Sequence, residues 1–271
     1  MVAQSPLVSI MVRAAEKAGR GLIRDFGEVE VLQVSRKGPA DFVSQADLKS
    51  EKILSEELTR ARPGYGLLME ESGARAGEAD ARFIIDPLDG TTNFLHGIPH
   101  WAISIAAEQK GTLVAGVVYN PVTNDLFWAE KGQGAFLNDR RLRVSGRRTM
   151  ADALFATGAP FLGRGDIPEF LVELSAVLPH CSGIRRAGAA ALDLAWVAAG
   201  RLDGYWERGL AAWDVAAGML LVQEAGGFVS EIDGGRKPLT AGSILAANTS
   251  LHLPLGTALR QAREGKVKAG A

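Results

Sequence analysis

Two apolar stretches dominate the second half of this 271-residue chain, 187–200 (AGAAALDLAWVAAG) and 209–223 (GLAAWDVAAGMLLVQ). Neither approaches the ~18 apolar residues that a membrane span requires, so both are expected to pack within a folded core. Each is interrupted by one carboxylate, Asp193 in the first and Asp214 in the second. A carboxylate held in apolar surroundings costs on the order of several kcal/mol unless something compensates it. The two aspartates therefore mark places where the fold must supply a partner, and they are the first sign of a site.

Periodicity organises the rest. Leu7, Met11, Ala14, Ala18 and Leu22 recur at three- and four-residue spacing, which predicts a helix ending near Gly27. A second helix is expected over 45–61, with Ile53, Leu54, Leu58 and Ala61 on one face and Pro63-Gly64 stopping it. The polar segment 35–40 between them, with Gly38 and Pro39, reads as a mobile loop carrying Lys37. Short strands follow at 66–69, 82–85, 102–107, 113–119, 126–129 and 135–137, broken at Lys110-Gly111, Asn120-Pro121 and Asn138-Asp139, a largely antiparallel pattern. Beyond a seam at 145–151, strands at 154–157, 183–186, 204–207, 228–231 and 244–247 alternate with helices at 168–178, 189–199, 212–225 and 250–263, an α/β rhythm. Residues 1–147 and 148–271 are thus expected as two halves of one compact unit, with a frayed tail after Arg263.

Bulk charge narrows the partners. With 30 Lys plus Arg against 31 Asp plus Glu, the net charge of −1 gives no basis for direct nucleic-acid binding, and 47% hydrophobic content argues against disorder. Cys181 stands alone, so no intrachain disulfide can form and a reducing, cytoplasmic location is expected. His96, His100, His180 and His252 show no zinc spacing. The apolar run 7–12 lacks a basic segment before it, so it is not expected to be a signal peptide, and no membrane attachment is foreseen.

The stretch Phe83-Ile84-Ile85-Asp86-Pro87-Leu88-Asp89-Gly90-Thr91-Thr92-Asn93-Phe94 carries the chemistry. An apolar strand should deliver Asp86 at its end, Pro87 should force a turn, Gly90 permits close backbone approach, and Thr91-Thr92 can open a helix. Two carboxylates three apart, followed by free backbone N–H groups, suit a divalent cation beside a phosphate. An Asp-rich turn or helix cap would use the same residues. Glu70-Glu71-Ser72 follows another short strand, Asp47 begins the second helix, and Asp214 lies in the first turn of a very apolar one. Each of these alone is also met by a solvated loop, a dipole partner or a cap. Their joint occurrence without His or Cys matches the oxygen ligands of a hard cation such as magnesium.

Asp86-Pro87-Leu88-Asp89-Gly90-Thr91, Glu70-Glu71-Ser72 before it, and Trp213-Asp214 through Glu224-Ala225-Gly226-Gly227 together resemble the inositol monophosphatase family, especially its bacterial members. The likeness extends over nearly the whole chain, including Lys37, 41–47, 157–161 (TGAPF) and 188–193. It implies the sugar-phosphatase fold, a layered αβαβα sandwich with an antiparallel N-terminal sheet and an α/β C-terminal half. It further implies a homodimer and magnesium-dependent, lithium-sensitive hydrolysis of small phosphate monoesters.

Carried over by residue, the resemblance makes Glu70, Asp86 and the Leu88 carbonyl ligands of one Mg2+. Asp86 would bridge to a second ion completed by Asp89 and Asp214, and Glu70 would also face a third, weaker site. Asp47 with Thr91 would orient and activate water, with Glu71 and Lys37 supporting the ligands. Backbone N–H groups of Gly90 and Thr91 would hold phosphate. Ala189, Ala190, Asp214 and Glu207 would meet the substrate, with Glu207 accepting sugar hydroxyls. Many bacterial relatives carry Ser where this chain has Ala189, so one hydroxyl contact is expected to be missing. Asp193 is expected to be a structural partner of a nearby Arg or of backbone groups.

The expected reaction is hydrolysis of myo-inositol monophosphate. Histidinol phosphate, fructose 1,6-bisphosphate and 3′-phosphoadenosine 5′-phosphate are alternatives within the same chemistry, and Glu207 favours a polyol over histidinol phosphate. A different class of role, binding within ribosomal RNA transcription complexes, would use a surface built by Arg185, Arg186 and Arg201. Each divalent ion adds two charges, so two would move the net −1 to +3 and three to +5, supplying the positive field an anionic substrate needs.

Overall fold

Ser5 accepts a hydrogen bond from the Val8 N–H at 3.3 Å and Pro6 occupies the first turn, which starts helix α1 (Pro6–Phe26). The computed structural model describes residues 4–28, 34–36, 42–161 and 163–265. Val8, Met11, Ala15, Ala18 and Leu22 form the buried stripe of α1, as their spacing requires. Helix α2 (Gln45–Ala61) lies against it. Strands β1 (Val34–Arg36) and β2 (Phe42–Ser44) form a separate antiparallel pair.

The first large sheet has eight strands: β3 (Gly66–Met69), β4 (Gly73–Arg75), β5 (Ala81–Asp89), β6 (Ala102–Gln109), β7 (Thr112–Asn120), β8 (Asp125–Glu130), β9 (Gly134–Leu137) and β10 (Arg140–Arg141). Their order is β10-β9-β8-β7-β6-β5-β3-β4, antiparallel except where β3 runs parallel to β5. The second sheet contains β11 (Leu154–Thr157), β12 (Gly183–Arg185), β13 (Gly204–Arg208), β14 (Phe228–Ser230) and β15 (Ser243–Ala247), in the order β12-β11-β13-β15-β14. Here β11 is parallel to both neighbours whereas β15 is antiparallel to both of its own, so this half is mixed rather than a simple parallel α/β sheet.

Helices α3 (Thr91–Leu95), α4 (Ile167–Val177), α5 (Ala190–Ala198), α6 (Ala212–Glu224), α7 (Pro238–Ala241) and α8 (His252–Arg263) complete the layers. The two apolar stretches are α5 and α6, packed on each other with one sheet on either side. That placement explains why they are apolar nearly all round: no face is left for water. Helices α1 and α2 cover the outer face of the first sheet, and α8, with α4 against it, covers the second. The result is the expected αβαβα sandwich. Among the described residues no helix is long and apolar enough to cross a membrane.

Candidate active site

The carboxylates meet because of where strands end. Met69 is in register with Ile85 on the parallel pair β3 and β5, and the ladder continues as the Glu70 N–H donates to the Ile85 carbonyl at 3.3 Å. Glu70 and Asp86 therefore leave neighbouring strands side by side. Pro87 does not end β5 as the sequence predicts. The strand continues to Asp89 through a register shift between Asp86 and Asp89 against β6, an irregularity of the kind that re-aims side chains beside active sites. Within it Asp86 Oδ1 accepts from the Leu88 N–H at 3.0 Å.

Gly90 then adopts φ +92°, where a Cβ would also meet the His100 carbonyl oxygen at 3.0 Å, so glycine alone turns the chain comfortably into α3. The central helices contribute their N-terminal turns. Asp89 Oδ2 accepts from the Ala191 N–H of α5 at 2.7 Å, and Asp214 Oδ2 accepts from the Ala211 N–H ahead of α6 at 2.7 Å. Ser104 of β6 donates to the Trp213 carbonyl at 3.3 Å, which ties the start of α6 to the first sheet.

Glu70, Asp86, Leu88, Asp89, Gly90, Thr91, Ala190, Glu207 and Asp214 line one cleft of about 450 Å³. Asp47 sits behind it, buried, with Thr91 Oγ1 3.4 Å from its Oδ1 and 3.0 Å from the Leu88 carbonyl. A threonine has one proton, so it serves only one of these acceptors at a time. Glu71 lies close enough to Glu70 to repel its charge. Ala189, which immediately precedes α5, is 1% exposed and packs beneath Gly90 rather than lining the cleft. Lys37 lies outside the described residues.

Other expectations are refined. Asp193 faces His100, whose Nε2 lies 3.7 Å from its Oδ1, and the expected arginine acts on it as well, through the charge of Arg186. Arg201 pairs with Asp125 at 3.1 Å and covers Trp196, whereas Arg186 lines the cleft near Glu207. Arg164, also in the cleft, partly offsets the charge of Asp214. Sequence reasoning passed over Glu51, a buried carboxylate that accepts from the Glu71 N–H at 2.8 Å and from the Ser72 side chain. Its signal was available: it lies one helical turn after Asp47, on the same face of α2. Asn93 was also missed; it donates to the carbonyls of His100 at 2.7 Å and Ala187 at 2.8 Å, tying α3 to the chain entering α5.

Burial, joined by repulsion from Asp214, Asp47 and Glu71, pushes Glu70 up to about 8. Burial likewise raises Asp214 to about 6, and burial with neighbouring carboxylates holds Asp86 and Asp89 well above the usual range. Such a set retains protons unless a cation neutralises it. Its donors are all hard oxygens, the chemistry of a magnesium-type site. Among the described residues no three acidic, His or Cys side chains are arranged to close on an ion as they stand. Glu70 instead hydrogen-bonds to Asp86, while Asp86, Asp89 and Asp214 accept backbone N–H groups. The donor chemistry fits the ion.

The model of the inositol monophosphatase family matches residues 3–264. An inositol-1-monophosphatase of Mesorhizobium japonicum is 59% identical over 96% of this chain and 98% of its own length. The Nus factor SuhB of Pseudomonas aeruginosa is 45% identical over 94% and 96%. Among solved structures, the extragenic suppressor protein suhB of Bartonella henselae superposes with a TM-score of 0.92 at 56% identity, covering 95% of this chain and 99% of that one. The layered fold, the convergent carboxylates and these full-length likenesses agree: this chain belongs to the inositol monophosphatase family.

Proposed function

We propose that this chain hydrolyses myo-inositol monophosphate to inositol and phosphate, using two or three Mg2+ per subunit. Its family is one of metal-dependent phosphoric monoester hydrolases. The observation that carries the reading is the sharing of one cleft by four acidic groups, the turn after Asp89 and Glu207. In this reading Glu70, Asp86, the Leu88 carbonyl, Asp89 and Asp214 hold the ions, which when bound neutralise the phosphate charge and acidify water.

The chain's own groups do the rest. When the Thr91 hydroxyl donates to Asp47, its lone pairs face a water; as that water attacks phosphorus in line, its proton passes through the Thr91 hydroxyl to Asp47, while the P–O bond to inositol breaks and the leaving oxygen takes a proton from solvent. The N–H groups of Gly90 and Thr91 hold the phosphate oxygens. Glu207 accepts hydroxyls of the polyol, Ala190 lines the ring, and Glu71 supports Glu70. The same proposal includes a homodimer, lithium sensitivity and a cytoplasmic location, the last resting on the lone Cys181.

The test is phosphate release from inositol 1-phosphate with Mg2+, beside histidinol phosphate, fructose 1,6-bisphosphate and 3′-phosphoadenosine 5′-phosphate. Asp89→Asn should lower kcat/KM by more than about 100-fold, beyond the usual cost of losing a group that merely supports a ligand. Absence of release by the wild type, or undiminished release by the variant, refutes the reading. The likeness to a Nus factor supports a second role, binding to a transcription complex. A growth phenotype rescued by the inactive Asp89→Asn chain would favour that role over catalysis.

A further inference from the structure

Tyr205 lies directly behind the cleft wall. It is fully buried on β13, and its hydroxyl donates to Glu207 Oε2, two residues along the same strand and on the same face. Burial raises its phenol well above the usual value, so it remains a donor. On the other side, the β11–β13 register pairs Thr157 with Trp206, which brings Gly158 beside Glu207. A Cβ on Gly158 would fall 1.8 Å from the Glu207 carboxylate carbon, so the carboxylate rests on bare backbone. Glu207 itself lines the cleft, while Tyr205 does not.

We infer that Tyr205 from behind and Gly158 from beneath lock the Glu207 carboxylate in one orientation, so that the cleft selects phosphate esters carrying a hydroxyl donor at a set distance from phosphorus. The inference rests on the reading of Glu207 as the polyol acceptor. Tyr205 is a positioning residue: it does not touch substrate, and it consumes one lone pair of Glu207 while leaving the others for the ligand. An unanchored glutamate would turn among rotamers and accept hydroxyls at many distances. The lock converts a general acceptor into a specific one, because the ordering of the side chain is completed before substrate arrives. Asp214 and Asp193 repel the Glu207 carboxylate and Arg186 attracts it, so without the tyrosine these charges would draw it out of this orientation.

The experiment uses the full chain with Mg2+ and compares kcat/KM for inositol 1-phosphate with that for p-nitrophenyl phosphate, which has no hydroxyl on its ring. Tyr205→Phe should lower this ratio about tenfold, equivalent to about 1.4 kcal/mol, through KM for inositol 1-phosphate rather than kcat. Gly158→Ala, which displaces the carboxylate without touching the hydroxyl, should lower it in the same direction. In a Glu207→Ala background, Tyr205→Phe should change the ratio by less than about twofold, since coupled residues are non-additive. A ratio lowered by Glu207→Ala but not by Tyr205→Phe overturns this inference alone. Equal loss from Tyr205→Phe with and without Glu207 also overturns it. A ratio unmoved by Glu207→Ala overturns the acceptor reading of Glu207 and this inference with it, whereas a wild type that releases no phosphate from inositol 1-phosphate overturns the proposed activity.

Discussion

Replacing Glu51 with alanine should damage both stability and metal binding, because this carboxylate organises the turn that carries Glu70. Its oxygens accept from the Glu71 N–H at 2.8 Å, from the Ser72 side chain and, at 3.4 Å, from the Ser72 N–H. Hydrogen bonds to a charged group contribute about 1.5–3 kcal/mol each. Two strong contacts give about 3–6 kcal/mol, and about 1–2 kcal/mol is recovered because the polar group, 3% exposed in Glu51, no longer has to be desolvated, so the expected loss is about 2–4 kcal/mol. At about 2–4 °C per kcal/mol for a chain of roughly this size, Tm should fall by about 4–16 °C. The freed turn should raise the Mg2+ concentration for half-maximal activity about 10–100-fold, the usual scale for groups that orient ligands. Glu51→Gln, which keeps an acceptor, should lose less on both measures. The assay is thermal unfolding in chelator together with Mg2+ titration of phosphate release. A Tm change under about 2 °C with unmoved Mg2+ dependence would refute the reasoning; a lower Tm with unmoved Mg2+ dependence would reduce Glu51 to packing.

Three further outcomes are expected. Burial raises Glu207 to about 7, and its carboxylate must be ionised to accept hydroxyls in full, so kcat/KM for inositol 1-phosphate relative to p-nitrophenyl phosphate should rise with pH through about 7 and become flat in Glu207→Gln. In chelator, the raised Asp214 and Glu70 carboxyls bind protons in the folded state that the unfolded chain has released, so their stabilising contribution is present in acid and lost as pH rises through about 6 and about 8. Excess Mg2+ should therefore raise Tm more at about pH 8.5 than at about pH 5.5, and thermal melts showing the reverse would contradict the shared cluster. Arg208→Ala strips the buried Glu173 of its partner at 2.8 Å and should destabilise by about 3–5 kcal/mol near neutrality. The loss should shrink as acid protonates Glu173, whose carboxyl burial already raises, and denaturant midpoints across pH would check it.

Local patterns in the chain were enough to define most elements. The stripe of α1, the span of α2 and the strand–turn–strand rhythm of the first sheet follow from side-chain periodicity and turn residues, which act over a few positions. The acidic residues were visible as well, since a carboxylate beside apolar segments is conspicuous whatever the fold. Continuation of β5 past Pro87 was not visible, because the sheet supplied by β6 overrides the local preference for a turn. Nor was the mixed second sheet, where strand direction depends on pairing between segments far apart in sequence.

What the amino-acid sequence by itself determined was a layered α/β protein with an oxygen-only donor set and the motifs of a phosphatase family. Tertiary structure alone decided which residues share a cleft. It brought Glu70 beside Asp86 through a parallel strand pair, seated Asp89 and Asp214 at the starts of two central helices, and turned Ala189 away from the cleft. It also paired Asp193 with His100 and set Tyr205 behind Glu207. The physical reason is the range of the forces involved. Backbone sterics and periodicity act between near neighbours, whereas burial, charge repulsion and orientation by a distant hydroxyl arise only when remote segments exclude water together.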